Sequence, residues 1–461
     1  RVWCTGYKKV YKVTYQWKGP SIENDLKQEV KINSIKVTSN HLFLLKKPSH
    51  KDPYKGINKK GEIYLSIDNG LKIGHSLQPF SISWANGGRF IGTGYKDLTT
   101  ESRFLLEFKL GRKKIGINHP TYFIADIAAN HDGNLERAKE LIFLAAGAGA
   151  DAAKFQNFQA EKIVSDYGFK ALKTQLSHQS KWKKSVFEVY RDASINKDWT
   201  TILKATCNKA GIDYFTSPYD FESVDHVDPY VEVYKIGSGD ITWLAILDYI
   251  ANKKKPVILS TGASTLDDVK RAMDTLLKRN KEIVLMQCNT NYTGSLENFK
   301  YINLKVLDTY NKLYPNIILG LSDHTPGHSV VLGGVTMGAR VIEKHFTDDN
   351  DREGPDHGFS LNPITWKDMV DRTRELEYSF GDGIKRIEDN EKKTAIIQRR
   401  GLRATNDLQK GTIIDISSLE PLRPIPSNGI PPYEVNKLIG KKLLKKLNKG
   451  EHITWKHVSS K

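Results

Sequence analysis

The side chains able to do chemistry fall into short motifs spread over about 230 residues. Asp126 precedes Asn130-His131-Asp132-Gly133. Lys154 and Gln156 share one apolar run. Ser217, the segment Lys235-Ile236-Gly237-Ser238-Gly239-Asp240, and Ser260 follow. Tyr292, Ser322-Asp323-His324, Glu343-Lys344-His345 and Asp356 complete the set. Lys154 and Lys235 stand inside otherwise apolar stretches. A buried ammonium is costly unless it meets an anion. Two such cations with the hydroxyls of Ser217, Ser238, Ser260 and Ser322 suit a bound phosphate and carboxylate. Internal ion pairs with Asp126, Asp240 or Glu343 are the alternative. His324 and His345 close neighbouring motifs, so two neutral imidazoles can share a divalent cation, Mn²⁺ or Mg²⁺ rather than a closed zinc site. Glu343 and Asp356 are candidates for proton transfer or the metal's surroundings. Cys288 lacks an evident base and reads as a small buried residue.

These motifs share one position in the pattern: each follows a short apolar run of strand type. Strands are predicted over 122–128, 152–156, 213–216, 233–236, 256–260, 283–287, 317–321 and 339–343, with helical stretches between them, the first over 135–148. About eight βα units in about 270 residues fit a (β/α)8 TIM barrel, whose active site gathers at the C-terminal strand ends. An open doubly wound sheet is the other reading, but no Gly-x-Gly-x-x-Gly opens the first helix.

The flanks differ. Residues 1–116 read as a β-rich accessory module, with strands at 10–17, 32–45 and 62–67. Lys109 to Asn118 reads as a linker. Residues 117–394 hold the barrel. Residues 395–461, with Pro424, Pro426, Gly429, Pro431 and Pro432, read as a compact β module. Of the net charge of +17, residues 1–118 carry +13 and residues 395–461 carry +8, leaving −4 between them. The basic character therefore sits on the flanks, without the aromatic–basic interleaving of a nucleic-acid surface. No 18-residue apolar run is present, which excludes a helical membrane span of ordinary length. Three separated cysteines argue against a disulfide framework and fit a reducing cytoplasm. Arg1 in place of an initiator methionine points to a processed chain or a piece of a longer product.

Taken together, the motifs resemble the sialic acid synthase family of phosphoenolpyruvate-condensing enzymes. The resemblance runs from about residue 123 to the C-terminus. It is carried by Ile124-Ala125-Asp126-Ile127-Ala128-Ala129-Asn130-His131-Asp132-Gly133, Ala153-Lys154-Phe155-Gln156, Tyr234-Lys235-Ile236-Gly237-Ser238-Gly239-Asp240, Leu259-Ser260-Thr261-Gly262, Gly320-Leu321-Ser322-Asp323-His324-Thr325 and Glu343-Lys344-His345-Phe346-Thr347.

The resemblance implies a barrel followed by an antifreeze-like (SAF) β-clip domain, in a domain-swapped homodimer whose β-clip supplies an arginine, here Arg423 of Leu422-Arg423-Pro424. It places phosphoenolpyruvate on Lys154, Ser217, Lys235, Ser238, Ser260 and Ser322. It places the metal on His324 and His345, and the amino sugar on Gln156, Tyr292, Asp356 and Arg423. Asp126 and Glu343 become the proton-transfer groups. The family often has Glu at Asp126 and at Asp240, and each replacement shortens reach by about 1.5 Å. The implied reaction joins phosphoenolpyruvate to N-acetylmannosamine or a 2,4-diacetamido-trideoxy hexose, giving a nine-carbon keto acid and phosphate. Another phosphoenolpyruvate-dependent sugar-acid synthase and a catalytically silent sugar-binding relative remain the alternatives.

Overall fold

A computed structural model describes residues 106–172, 179 and 182–460, together with six backbone strands among the first 105 residues. The chain divides into two compact units, Arg1–Ser379 and Phe380–Lys461. Residues 378–394 are exposed throughout, and the expected boundary at 394/395 lies at the end of that stretch.

In the first 105 residues, β1 (Lys9–Lys18), β2 (Lys31–Val37), β4 (Phe80–Ser83) and β5 (Arg89–Gly92) form one antiparallel sheet in the order β2-β1-β5-β4. A pair formed by β3 (His75–Leu77) and β6 (Tyr95–Asp97) stands apart from it. The strand expected at 62–67 and the end of the one expected at 32–45 lie outside the described residues.

The stretch expected to be a linker is a hairpin, β7 (Glu107–Leu110) and β8 (Lys113–Gly116). Alternation explains the correction: Phe108, Leu110 and Ile115 point one way and are buried, while Glu107 and Lys109 are exposed. Gly111 makes the turn at φ +60, a conformation that disfavours a β-carbon. A β-carbon there would also strike the Asp213 carboxylate.

The barrel strands are β9 (Tyr122–Asp126), β10 (Ala152–Asn157), β11 (Asp213–Pro218), β12 (Tyr234–Ile236), β13 (Val257–Ser260), β14 (Ile283–Cys288), β15 (Ile318–Ser322) and β16 (Ala339–His345). They are parallel and close in sequence order, β16 pairing with β9. All eight predicted strands are present, and most run one or two residues longer at the C-terminal end. There the polar residues remain hydrogen-bonded in the sheet, so an apolar pattern underestimates those five strands, whereas the first ends at Asp126, two residues short of the expected 128.

Two cores result from the strand alternation. Side chains such as Phe123, Phe155 and Leu259 point outward to the helices, which present apolar faces such as Ala138, Leu141, Ile142 and Ala145 of Leu135–Gly147. Inward, Ile124, Phe215, Ile258, Val284 and Val341 fill the barrel interior. Phe108, Leu110 and Ile115 belong to that same inner cluster, so the hairpin plugs the N-terminal end of the barrel.

In the second unit, β17 (Gly401–Ala404) and β18 (Leu419–Leu422) pair antiparallel. A short helix, Lys392–Gln398, with isolated bridges and 3₁₀ segments, accompanies them, and the core includes Leu402, Ile414, Leu438, Leu447 and Ile453. Among the described residues no helix is long and apolar enough to cross a membrane.

Leu110 is fully buried at the plugged end. Leu110→Ala should lower unfolding stability by about 2–5 kcal/mol, the usual cost of a large-to-small change in a packed core. Denaturant unfolding of the full chain checks this. An unchanged midpoint would mean that the hairpin is not part of the cooperative core.

Candidate active site

Register determines which polar side chains meet. Asp126 is the last residue of β9, paired with Lys154 on β10 to one side and His345 on β16 to the other. Ser322 on β15 pairs with Glu343 on β16. Side chains that enter the barrel at these rows converge at its C-terminal end.

Four buried charges form the centre. Lys154 Nζ lies 2.7 Å from Asp126 Oδ2 and 3.1 Å from Glu343 Oε2. Lys235 Nζ lies 3.3 Å from Glu343 Oε1 and donates to the Ile236 carbonyl at 3.3 Å. Ser322 Oγ donates to Glu343 Oε1 at 3.1 Å. None of the four charged side chains is more than 5% exposed. The alternative of internal pairing therefore holds, with Asp126 and Glu343 as the partners. Asp240 forms no ion pair among the described residues.

The environments of the four groups differ. Burial pushes the Asp126 carboxyl up, although Lys154 opposes the shift. Burial would raise Glu343 too, but Lys154 and Lys235 hold it down at about 2. Lys154 is raised because its two carboxylates outweigh burial. Lys235, with a longer contact to a single carboxylate, is lowered by burial. Burial pushes Asp240 up to about 6, with Lys235 drawing it slightly back.

The serines line the same end. Ser217 Oγ is buried with no hydrogen-bond partner among the described residues. An orphaned buried hydroxyl carries a desolvation penalty that a ligand oxygen can remove. Ser238 Oγ accepts from the Gly262 amide at 2.9 Å. This approach depends on glycine, since a β-carbon at Gly262 would lie 2.4 Å from Thr290 Cγ2. Among the described residues Ser260 Oγ donates to the Met286 sulfur alone, at 3.7 Å. Gln156, beyond Lys154 on β10, is part-buried and pairs in register with Ser217.

The two imidazoles are neighbours, with ring centres 5.4 Å apart. His324 Nδ1 donates to the Asn289 carbonyl at 2.7 Å, which leaves its Nε2 as the lone-pair nitrogen. Among the described residues His345 Nδ1 is buried without a hydrogen bond. Its Nε2 is 3.6 Å from Asp126, and its Nδ1 is 4.0 Å from Asp356. Burial, then the neighbouring His345, lowers His324 to about 3, and burial lowers His345 to about 4. Both rings are therefore neutral at ordinary pH, the form that ligates metals. Among the described residues no third His, Cys, Asp or Glu completes a metal-ligating group with them. Two neutral imidazole nitrogens could hold a divalent cation only if its other ligands came from substrate and water. Tyr292 packs edge-on against His324 with centres 4.4 Å apart, and Phe359 against His345 at 4.8 Å. Asp356 Oδ2 accepts from the Ala129 amide at 3.2 Å. Cys288 is a buried free thiol, raised by burial, as expected of an inert residue. Arg423 is exposed on the second unit.

Two features were not legible as functional in the sequence. Asp323 and Lys344, each adjacent to one of the imidazoles, form a fully buried ion pair at 2.5 Å. Lys344 also donates to the Thr325 carbonyl at 2.5 Å, and Asp323 accepts from Thr325 Oγ1 at 2.9 Å. This pair ties β15 to β16 directly behind the two rings. Further out, Asp132 pairs with buried His357 at 2.9 Å and with Arg137 at 3.0 Å, and Arg137 grips Asp348. These links hold the loop after β9 against the loop after β16. The clue was alternation: Asp323 and Lys344 are polar at outward positions of apolar strands, where only a partner of opposite charge is tolerable.

A closed eight-stranded parallel barrel, with cations, hydroxyls and paired imidazoles gathered at its C-terminal end, defines a barrel enzyme for an anionic substrate. Residues 141–385 match the model of the NeuB family and residues 399–459 that of the SAF domain. The chain is 34% identical over 356 residues to an N,N'-diacetyllegionaminic acid synthase of Legionella pneumophila, spanning 76% of this chain and 98% of the relative. It is 36% identical over 340 residues to the synthase of the same name from Campylobacter jejuni, spanning 72% and 98%. Its fold matches the crystal structure of an N-acetylneuraminic acid (sialic acid) synthetase from Leptospira borgpetersenii in complex with citrate. There the TM-score is 0.55 at 29% identity, covering 62% of this chain and 94% of that one. The chain belongs to the NeuB family. It is an enzyme of the sialic acid synthase type, with a barrel followed by an SAF domain.

Replacing Lys344 with Met leaves Asp323 buried without its cation, and should cost about 3–5 kcal/mol; equilibrium unfolding in denaturant measures it, and a loss under 1 kcal/mol would deny the pair its structural role. Asp240 gives a pH signature. Its folded value of about 6 lies above an unfolded value near 4, so the folded state binds the extra proton. Wild type should therefore lose thermal stability relative to Asp240→Asn as pH rises from about 4 to about 6. Parallel melting curves across that range would contradict the burial argument.

Proposed function

We propose that the enzyme condenses phosphoenolpyruvate with an N-acyl hexosamine and releases phosphate, forming a nine-carbon 2-keto sugar acid. The observation that carries this reading is the pair of buried lysines facing two carboxylates beneath an unpartnered serine hydroxyl. Both cations are paired, so a ligand that draws on them must itself be anionic to compete with Asp126 and Glu343. Lys154 and Lys235 hold the donor's carboxylate and phosphate, and Ser217, Ser238, Ser260 and Ser322 orient its oxygens. His324 and His345 are the nitrogens for Mn²⁺ or Mg²⁺, which when bound supplies Lewis-acid polarisation of the acceptor aldehyde.

Carbon 3 of the donor forms the new bond to the aldehyde carbon as the C=O π pair passes to the aldehyde oxygen, which takes up a proton to become a hydroxyl, and carbon 2 is left as an electrophilic oxocarbenium. Water adds at carbon 2, and Asp126 or Glu343 takes its proton. Cleavage of the carbon–oxygen bond then releases phosphate and leaves the 2-keto group. Gln156, Tyr292 and Asp356 face the acceptor. A homodimer in which the SAF domain of one copy caps the barrel of the other would bring Arg423 to that mouth. Buried free thiols at Cys207 and Cys288 suit work in the reducing cytoplasm.

The likeness to two legionaminic-type synthases favours a 2,4-diacetamido-trideoxy hexose over N-acetylmannosamine as acceptor. Phosphate release from phosphoenolpyruvate in the presence of Mn²⁺, tested with each sugar, decides between them. His324→Ala should reduce metal-dependent release by about 10²-fold or more, with the circular dichroism spectrum retained. Undiminished release by that variant would remove the metal role. Release by wild type with neither sugar would remove the proposed reaction.

A further inference from the structure

Beside the centre stands an aromatic wall that neither the motifs nor the resemblance assigns. Tyr219 follows β11 directly, and its amide donates to the Asn157 carbonyl at 3.2 Å. The next residue, Asp220, accepts from the Ser223 amide at 2.8 Å, so the backbone around Tyr219 is held from both sides. The Tyr219 ring packs edge-on against Phe158, with centres 5.8 Å apart. Tyr190, on the helix Val186–Ala193, packs against the same Phe158 at 5.6 Å. That helix begins with a capping box between Ser185 and Glu188, which fixes its entry.

The Tyr219 hydroxyl lies across from the turn that carries Ser238. A β-carbon built on Gly237 would be 3.3 Å from the hydroxyl oxygen. The phenol thus occupies space that a side chain on the turn would fill. Tyr219 and Tyr190 are both part-buried. Among the described residues neither hydroxyl makes a hydrogen bond. A phenol placed in a pocket normally finds a partner for its O–H. Burial, then Asp240 and Asp126, keeps the Tyr219 phenol protonated, and burial, then Asp356 and Asp240, does the same for Tyr190. Asp240 acts on both hydroxyls, and Asp356, the carboxylate assigned to the acceptor above, acts on that of Tyr190.

Resting on the synthase reading above, we infer that Tyr219, backed by Tyr190 on Phe158, is a specificity-determining residue that donates its hydroxyl to an oxygen of the acceptor sugar. An oxygen-bearing substituent satisfies the phenol, and an acceptor without one at that place leaves the phenol desolvated and unpaired. Discrimination of this kind comes from the unpaired group as much as from the bond.

The test is steady-state kinetics of the full-chain, Mn²⁺-loaded enzyme with phosphoenolpyruvate and either N-acetylmannosamine or a 2,4-diacetamido-trideoxy hexose, for wild type and Tyr219→Phe. The variant keeps the ring and its contact with Phe158. The KM for the accepted sugar should rise about fivefold to tenfold, with the KM for phosphoenolpyruvate within about twofold and Tm unchanged. Tyr190→Phe should give a smaller shift in the same direction. An unaltered sugar KM in Tyr219→Phe, with wild type active, overturns this inference alone. An equal rise in both KM values also overturns it, since that marks a general disturbance of the site. Wild type inactive with both sugars overturns the synthase reading and this inference together.

Discussion

Two ammonium groups, Lys154 and Lys235, are withdrawn from water inside the barrel, and the arrangement around them follows from that cost. Isolated, each would be too expensive to bury. Asp126 and Glu343 neutralise them, and the register of β9, β10 and β16 brings those carboxylates within reach. The lysines are unequal. Lys154 has two carboxylates and is held firmly charged, whereas Lys235 shares one of them at longer range and is lowered by burial. An arriving anion therefore gains most at Lys235. At the same end of the barrel the Ser217 hydroxyl is buried and, among the described residues, lacks a hydrogen bond.

The barrel separates stability from chemistry along its axis. At the N-terminal end the hairpin β7–β8 closes a largely apolar interior, in which the Tyr122 hydroxyl is satisfied by Asp213 at 2.6 Å. At the opposite end the same strands run into lysine, carboxylate, serine and histidine. The outward face continues the separation through the Asp323–Lys344 pair. It sits behind the imidazoles, away from the pocket, and links the two strands that present them. A short, buried, doubly supported ion pair resists relative sliding of β15 and β16. The spacing of the two rings is thereby set by groups that touch neither ring's pocket face.

Much of this was legible along the chain. All eight strands follow from apolar runs alternating with helical stretches, because a parallel strand buried on both faces must be apolar throughout. The polar interruptions at the strand ends mark the pocket for the same reason. Lys154, Lys235, His324 and His345 stood out by violating the pattern. The hairpin at 107–116 was missed as structure because its alternation spans only four residues per strand, too few to separate from a linker. The Asp323–Lys344 pair was missed as a pair because alternation gives the face a residue takes, not which neighbour it meets across the barrel wall.

By itself, then, the sequence determined the element types, their order, the closed barrel and the list of polar groups at its mouth, since each of these depends on local pattern and chain length. Tertiary structure decided what those groups do to one another. Which carboxylate neutralises which lysine depends on strand register and on distances of about 3 Å across β9, β10, β12 and β16. The neutral state of both imidazoles depends on burial that no single segment supplies. Tyr219 and Tyr190 are 29 residues apart in the chain, and only the packing of both on Phe158 makes them one wall. Charge, burial and reach are properties of a neighbourhood, and the neighbourhood exists only once the barrel has closed.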